Sequence, residues 1–441
     1  MIKSSGSNPI ARKPKIIRLL TRNVGGPAWQ VCKLHEKLGE NFETRLVTGA
    51  LSDGDQDMSY LLSSKTHVLR VPEMSREVSL WSDLRALWKL LKYFRAERPD
   101  IVHTHTAKAG AIGRLAAWLA GVPIVVHTYH GLVFDAYFNG VQSWIYLKIE
   151  RILGRLSTRL IAISNSQLRD LSLKYRVAPT EKFVVIQNGF ELDRFSGARR
   201  EDSRNKLGLS ASDFVVVWAG RMAPVKDVKL LADAIRTSLE KHFPILFLVL
   251  GEGPEKRELE RLTKGCENVR LLGWRRDMET IWAAADAALV TSRNEGTPTV
   301  LIEAMAAGRP FVSTNVGGVR DLAAGELTEL PDGNGFKAAN GYLAHRTPES
   351  LLYCIRELSN CPQMAREMGS AGQAFALDRF GLERLVEELT AFYQSLLRSR
   401  HILDQPSSRP TVIRTERPLY FETSRGTVPG KIHYPAKRNL L

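Results

Sequence analysis

The sequence predicts an α/β protein of two doubly wound domains facing each other across a cleft. Three observations carry that expectation. Short Val-, Ile- and Leu-rich runs alternate with amphipathic helical segments, the whole series is repeated once along the chain, and a charged stretch without apolar periodicity, residues 191–212, separates the two series. A length of 441 residues allows two or three domains, each with its own core. With 44% apolar and 25% charged residues the chain has an ordinary globular balance, which excludes a largely disordered or fibrous protein.

In the first series strands are expected at 16–21, 45–48, 101–105, 124–128, 160–164 and 183–186, with helices at 27–38, 81–97 and 109–120. Apolar strands separated by helices imply a parallel sheet covered on both faces. The second series repeats the plan, with strands at 214–219, 246–250, 269–271, 287–290 and 310–313 and helices at 228–239, 255–263, 278–284 and 298–307. A last helix near 382–397 closes the ordered body. Residues 398–441 contain five prolines and scattered basic residues without a period, which reads as a flexible basic tail. The expected division is therefore 1–195, 196–397 and the tail 398–441.

The net charge of +15 is uneven: residues 1–195 hold 28 basic and 17 acidic side chains, residues 196–397 hold 25 and 27, and residues 398–441 hold 9 and 3. A basic first half faces something anionic, whether nucleic acid, a phospholipid surface or a phosphorylated ligand, or else only keeps the protein in solution. The opening residues lack the apolar core of a signal peptide, and no run approaches the ~18 apolar residues of a spanning helix. Cys32, Cys266, Cys354 and Cys361 form no C-x-x-C pair, which disfavours a disulfide framework or a thiolate zinc site. A reducing, cytoplasmic setting is expected.

The most informative segment is TSRNEGTPTVLIEAMAAGRPFVSTNVGG, residues 291–318. Thr297 suits an N-cap, Pro298 the first helical position and Gly308 the left-handed position past the end, while Pro310 prevents continuation. A helix starting just after Glu295 and preceded by an apolar strand directs free N–H groups and a positive dipole end into the cleft, where an anion can bind. Glu295 and Glu303 are eight residues apart, about 12 Å along a helix axis, so they hold separate parts of an elongated ligand rather than one proton or one metal.

Arg221 and Lys226 lie in the loop after the first strand of the second series, where two cations suit a diphosphate. Gly251-Glu252-Gly253-Pro254 forms a tight turn after the next strand. Gly25-Gly26-Pro27 opens the first helix and lets a phosphate approach the backbone; without G-x-G-x-x-G it gives no ground for a dinucleotide cofactor. His103 and His105 end one strand and His127 and His130 the next, so both pairs should border the cleft, as structural histidines or as ligand contacts. Asp53-Gly54-Asp55 imitates a metal-binding Asp-x-Asp but stands in a polar early loop without a phosphate motif. It reads as solvated, and neither metal nor cofactor is expected.

Two amphipathic stretches remain. Residues 81–98 place Trp81, Leu84, Leu87, Trp88, Leu91 and Phe94 at helical spacing beside several cations, and the expectation is that this face packs on the sheet. Residues 134–155 mix five aromatics with Lys148, Arg151 and Arg155, which suits either packing or the interface of an anionic membrane.

Together these residues resemble the retaining glycosyltransferases of family 4 with the GT-B fold, over roughly residues 15–395. The resemblance rests on Glu295-x7-Glu303 within EGTPTVLIEAMAAGRP, followed by Val316-Gly317-Gly318, and on Gly25-Gly26, Arg221 with Lys226, GEGPE and LGWRRD in order. It implies two Rossmann-like domains, the first on the acceptor side and the second binding a nucleotide-sugar. By the same resemblance Arg221 and Lys226 bind the diphosphate and stabilise the leaving group, and Glu303 holds the ribose hydroxyls. Glu295 with Gly296, Thr297 and Thr299 contacts the sugar, and the N–H groups near Thr299 and Val300 complete the diphosphate site. Gly25 and Gly26 approach the donor phosphate, and His130 contacts the donor sugar or offers a carbonyl to the reaction centre.

HTHTAKAG and HTYHGLVF are similar to segments of bacterial polysaccharide and lipid-linked oligosaccharide transferases. The expected activity is transfer of a hexose, with retention, from a UDP-linked sugar to a lipid-carried or nascent glycan at the inner membrane surface. The expected partners are the donor, the acceptor and an anionic membrane, and not nucleic acid, for which no recognition signature is present. Two other readings stand beside it. One is a nucleotide-sugar epimerase of the same fold, whose Ser-Gly-Gly is replaced here by Ser292-Arg293-Asn294. The other is a non-catalytic glycan or nucleotide binder, against which the intact Arg221, Lys226, Glu295 and Glu303 weigh.

Overall fold

A computed structural model describes residues 12–51, 57–63, 66, 68–75, 79–131, 140–400, 421–423 and 426–428. The apolar runs of the first half form seven strands: β1 (Lys15–Leu20), β2 (Glu43–Thr48), β3 (Val68–Arg70), β4 (Ile101–His105), β5 (Ile124–Tyr129), β6 (Arg159–Ala162) and β7 (Phe183–Val185). They build one parallel sheet in the order β3-β2-β1-β4-β5-β6-β7. The order reverses beside β1, which makes a crevice at the carboxyl ends of β1 and β4. Between the strands run α1 (Gly25–Leu38), α2 (Leu80–Glu97), α3 (Ala107–Leu119), α4 (Gly140–Leu156) and the short α5 (Asn165–Arg169).

The second half opens with α6 (Arg200–Lys206) and continues through β8 (Phe214–Ala219), α7 (Val228–Glu240), β9 (Ile245–Leu250), α8 (Lys256–Leu262), β10 (Val269–Gly273), α9 (Met278–Ala284), β11 (Ala287–Val290), α10 (Thr299–Ala306) and β12 (Phe311–Thr314). Three further strands, β13 (Thr328–Glu329), β14 (Gly335–Ala338) and β15 (Gly341–Ala344), complete a sheet in the order β10-β9-β8-β11-β12-β15-β14-β13. All its strands run the same way except β14, which is antiparallel to both β15 and β13. The helices α11 (Pro348–Asn360), α12 (Pro362–Phe380) and α13 (Leu382–Ser399) follow. Residues 404–441 form a separate unit, in which 421–423 pair antiparallel with 426–428.

Burial explains why the strands are apolar throughout. On one face of the first sheet Ile16, Ile101, Ile124 and Val126 meet Leu34 and Leu38 of α1. On the other, Ile17, Leu19 and Val102 meet α2 and α3. The α1 face is closed by α13, although that helix follows the second sheet in sequence. Its Leu382, Leu385, Leu389, Phe392, Leu396 and Leu397 recur at helical spacing and pack among the first-sheet strands, and the Tyr393 hydroxyl contacts both Arg18 and His103.

One expected face is corrected. The buried stripe of α2 is Ala86, Leu90 and Phe94, while Trp81 and Trp88 are 75% and 56% exposed. Small Ala86 lets the helix lie close to the sheet and turns the tryptophans outward. The first part of the other amphipathic stretch, residues 134–139, lies outside the described residues, as do Asp53 and Asp55.

A fully buried ion pair ties α3, β5 and α4 together. Arg114 Nη2 lies 2.8 and 3.0 Å from the two Glu150 carboxylate oxygens, and the Tyr129 hydroxyl donates to Glu150 Oε2 at 2.7 Å. Removing one partner strands the other charge in the core. Glu150→Ala is therefore expected to cost about 3–5 kcal/mol of unfolding free energy in urea titrations. A loss below about 1 kcal/mol would show that the pair is solvated.

Candidate active site

The site begins where β8 and β11, adjacent in the second sheet, deliver their following loops to one place. After β8 the chain turns through Pro224–Lys226 into Asp227, whose left-handed conformation (φ 53°) and carboxylate, accepting from the Leu230 N–H at 3.4 Å, start α7. After β11, Thr291 accepts from Trp218 Nε1 at 3.1 Å and donates to the Lys226 carbonyl at 2.8 Å. These bonds fix the two loops against each other. Lys226 Nζ then meets Glu295 Oε1 at 2.6 Å, and the buried Ser292 hydroxyl donates to the same oxygen at 2.6 Å. Arg221, in the same loop as Lys226, is exposed and has no ion-pair partner among the described residues.

Glycine is required behind this loop. A Cβ on Gly251 would stand 1.9 Å from the Gly220 carbonyl oxygen, and its φ is +128°. The turn after β9 therefore braces residues 220–222, with Met222 N–H bonded to the Glu252 carbonyl at 2.9 Å.

Next to Glu295, α10 starts one residue later than the sequence suggests. Pro298 is the N-cap, with no side-chain cap bond, and the Thr297 hydroxyl is buried without a partner. Thr297 as the cap is thus corrected. Pro298 takes the cap position in an extended conformation (ψ 104°), and Thr297 is left outside the helix. Gly308 does take the left-handed conformation past the helix end (φ 71°).

Glu303, in the second turn of α10, accepts from Trp282 Nε1 at 3.3 Å, separately from Glu295. Burial raises its carboxyl above the ordinary range, while the Arg194 guanidinium opposes that shift. Glu303 and Thr299 line a recess with Gly26, Trp29, Phe190 and Arg194, so both halves of the chain contribute to it. Trp29, Phe190 and Arg194 were not anticipated. Trp29 sits one turn after Gly25-Gly26, Phe190 just precedes the charged connecting stretch and Arg194 lies within it, where no motif draws attention to them.

The backbone of residues 295–296 is held from two sides. Gly318 N–H donates to the Glu295 carbonyl at 2.9 Å, and a Cβ on Gly318 would stand 1.7 Å from the Gly296 oxygen. From the first half, the His130 carbonyl oxygen lies 3.6 Å from the Cβ position of Gly296. Nearby, the Ser166 N–H donates to Asp321 Oδ2 at 3.0 Å across the same junction. At Gly25 and Gly26 a Cβ would meet nothing within 4 Å, so the space beside them is open.

His103, His105 and His130 follow one another ring to ring, and His127 stands apart against Tyr129. His103 bonds Tyr393 at 2.6 Å and Thr128 at 2.7 Å, and His127 bonds Thr104 at 2.9 Å. His105 Nδ1 and His130 Nε2 are 3.0 Å apart, and His105 Nε2 is buried without a partner. Burial lowers all four, His130 to about 4, so they are neutral at pH 7. No cluster of three or more metal-ligating side chains occurs among the described residues.

Two family descriptions match the chain: "Glycosyl transferase 4-like domain" over residues 25–189 and "Glycosyl transferases group 1" over residues 213–360. An Escherichia coli protein named UDP-Gal:alpha-D-GlcNAc-diphosphoundecaprenol alpha-1,3-galactosyltransferase is 33% identical over 312 residues, covering 67% of this chain and 79% of the relative. The Staphylococcus aureus capsular polysaccharide biosynthesis glycosyltransferase CapM is 26% identical over 88% of this chain and 98% of its own. Among solved structures, Anabaena HepE in complex with UDP and glucose superposes with a TM-score of 0.70 at 22% identity, covering 87% of this chain and 100% of that one. Sucrose-phosphate synthase from Thermosynechococcus elongatus gives 0.69 at 20% identity, covering 88% and 100%. These likenesses show the GT-B fold.

The buried imidazoles set a pH dependence. The expected place at the cleft is corrected for His103 and His127, which are buried against Tyr393 of α13 and Gly110 of α3. His35, lowered by burial to about 4, joins His103, His105, His127 and His130. Between about pH 6.5 and 4 the unfolded chain binds protons that the folded chain does not, so stability is at its plateau above pH 6.5 and falls as pH drops through that window. Each histidine adds up to ~1.4 kcal/mol per pH unit. The urea midpoint should fall clearly between pH 7 and pH 5; an unchanged midpoint would contradict the buried neutral state.

Proposed function

Because the chain belongs to the group 1 glycosyltransferases, we propose that it moves a hexose from a UDP-linked sugar to a lipid-carried or nascent glycan in polysaccharide biosynthesis, retaining the anomeric configuration. The observation that carries this reading is the Lys226–Glu295 pair at the ends of neighbouring strands, beside the start of α10. A diphosphate arriving there draws Lys226 from Glu295, joins the unpaired Arg221 and the N–H groups near Thr299 and Val300, and has open space beside Gly25 and Gly26. As the sugar–phosphate bond breaks, positive charge spreads over the sugar and negative charge collects on the diphosphate. Cations and a helix N-terminus already in place lower that barrier.

Glu303 takes the ribose hydroxyls. Glu295, released from Lys226, takes a hydroxyl of the sugar together with Gly296. The unpartnered Thr297 hydroxyl takes another, since a buried polar group of this kind calls for a ligand partner. His130, neutral, faces the same backbone with its carbonyl and stabilises the positive sugar. In this reading residues 1–195 receive the acceptor and residues 196–397 bind the donor. No described helix is long and apolar enough to cross a membrane. A lipid-carried acceptor, as in the name of the Escherichia coli relative, and the basic first half support a working position at the inner face of the membrane.

Incubation with labelled nucleotide-sugars and a membrane extract tests the proposal. Label moving from a UDP-sugar into lipid or polysaccharide supports it, whereas no transfer from any donor, or only an epimerised nucleotide-sugar, overturns it. Arg221→Ala should lower transfer by roughly 100-fold or more with an unchanged urea midpoint. Unchanged turnover would remove Arg221 from the site.

A further inference from the structure

One face of the first sheet is covered by α2, α3 and α4, and the outer surface of those helices is unlike an ordinary solvated face. Half of the chain's eight tryptophans stand there exposed: Trp81 and Trp88 on α2, Trp118 at the end of α3 and Trp144 on α4. On α2 the outward stripe continues with Leu84, Arg85 and Lys92. On α4, Trp144 is 61% exposed and is followed along the stripe by Ile145, Lys148, Ile149 and Ile152. The two helices repeat one device, a tryptophan with a lysine one turn later: Lys92 Nζ lies 3.7 Å from the Trp88 ring centre and Lys148 Nζ 5.3 Å from that of Trp144. Several large apolar side chains on one face are more than scattered surface residues require.

Charge on these helices is sorted. The carboxylates are engaged elsewhere, Glu150 with buried Arg114, Asp83 with Lys108 and Glu97 with Lys15, which leaves the outward stripes with cations. At the far end of α4 a recess is lined by Arg151, Arg155, Arg176 and Lys182 and by no carboxylate. Lys182 donates to the carbonyls of Gly154, Arg155 and Ser157, and Arg151 donates to that of Tyr175. Arg155 and Arg176 have no ion-pair partner among the described residues, and Arg155 follows Ile152 by one turn on the α4 stripe.

We propose that the α2–α3–α4 face docks on an anionic phospholipid bilayer, with Trp88, Trp144, Ile149 and Ile152 entering the interface and the Arg155–Arg176 recess holding a headgroup phosphate. An apolar stripe flanked by cations, with the acids withdrawn, matches the headgroup–acyl boundary of an anionic leaflet. Topology supplies the geometry. Each helix follows a parallel strand, so α2 and α4 begin at the carboxyl-end edge of the sheet, the edge that bears His105 and His130. A bilayer on this face lies beside the mouth of the cleft, where a lipid-carried acceptor would enter. The purpose of the contact rests on the function proposed above, but the contact itself does not.

The test is co-sedimentation of the whole protein with vesicles of phosphatidylglycerol and phosphatidylcholine. Binding is expected at low salt, weakening at high salt and absent with phosphatidylcholine alone. The double variant Trp144→Ser, Ile149→Ser should bind about tenfold more weakly, and Arg155→Glu with Arg176→Glu likewise. All four substitutions are at exposed positions, so the urea midpoint and binding of a UDP-sugar should stay as in the wild type. No sedimentation at low salt overturns the proposal, as does sedimentation indifferent to both variants, or a dimer that buries this face instead. Vesicle binding without sugar transfer would leave the docking surface standing and remove only the enzymatic reading.

Discussion

The site depends on one contact, the 2.6 Å pairing of Lys226 with Glu295. Two charges at the mouth of a sheet must be neutralised or solvated, and here each neutralises the other while Ser292 fixes the shared oxygen. The pair forms only because β8 and β11 are neighbours, because Thr291 locks the two loops together and because Gly251 lets the next turn lie directly behind. A pre-paired lysine is also an exchangeable one. In the proposed reaction an incoming diphosphate would offer it more negative charge than a single carboxylate does, and the displaced glutamate would become available to a sugar hydroxyl.

The second constraint is the joint between the two halves. Gly317-Gly318 from the second half and His130 from the first both approach residues 295–296, and α13 returns from the end of the second half to close the first sheet. Tyr393 on that helix bonds His103, two residues before His105, which in turn contacts His130. A chain of neutral histidines thus links the returning helix to the carbonyl that faces Gly296. In the proposed transfer their neutrality would keep competing positive charge away from the sugar.

Much of this was legible in the sequence, for physical reasons. Strands buried on both faces read as unbroken apolar runs, so β1, β4, β5, β8 and β11 could be placed closely. Proline and glycine bound α10, although whether Thr297 or Pro298 would cap it was decided by backbone geometry. Spacing alone misassigned α2, because Trp81 and Trp88 share the period of a core face while Ala86, Leu90 and Phe94 form the actual one. β13–β15 lack such an apolar run: β13 is two exposed residues, and β14 and β15 each open with a glycine. The Pro348–Asn360 helix does carry a local signal, a Thr347 cap before Pro348. The pairing of Lys226 with Glu295 has no local signature, since it depends on which strands are adjacent.

The most direct measurement is UDP affinity by calorimetric titration of the wild type and Glu295→Gln, with sugar transfer followed in parallel. If Glu295 holds Lys226 until a diphosphate replaces it, removing the carboxylate charge should tighten UDP binding by about 1 kcal/mol, roughly fivefold, while transfer falls. Weaker UDP binding in Glu295→Gln, or transfer that persists unchanged, would contradict the account.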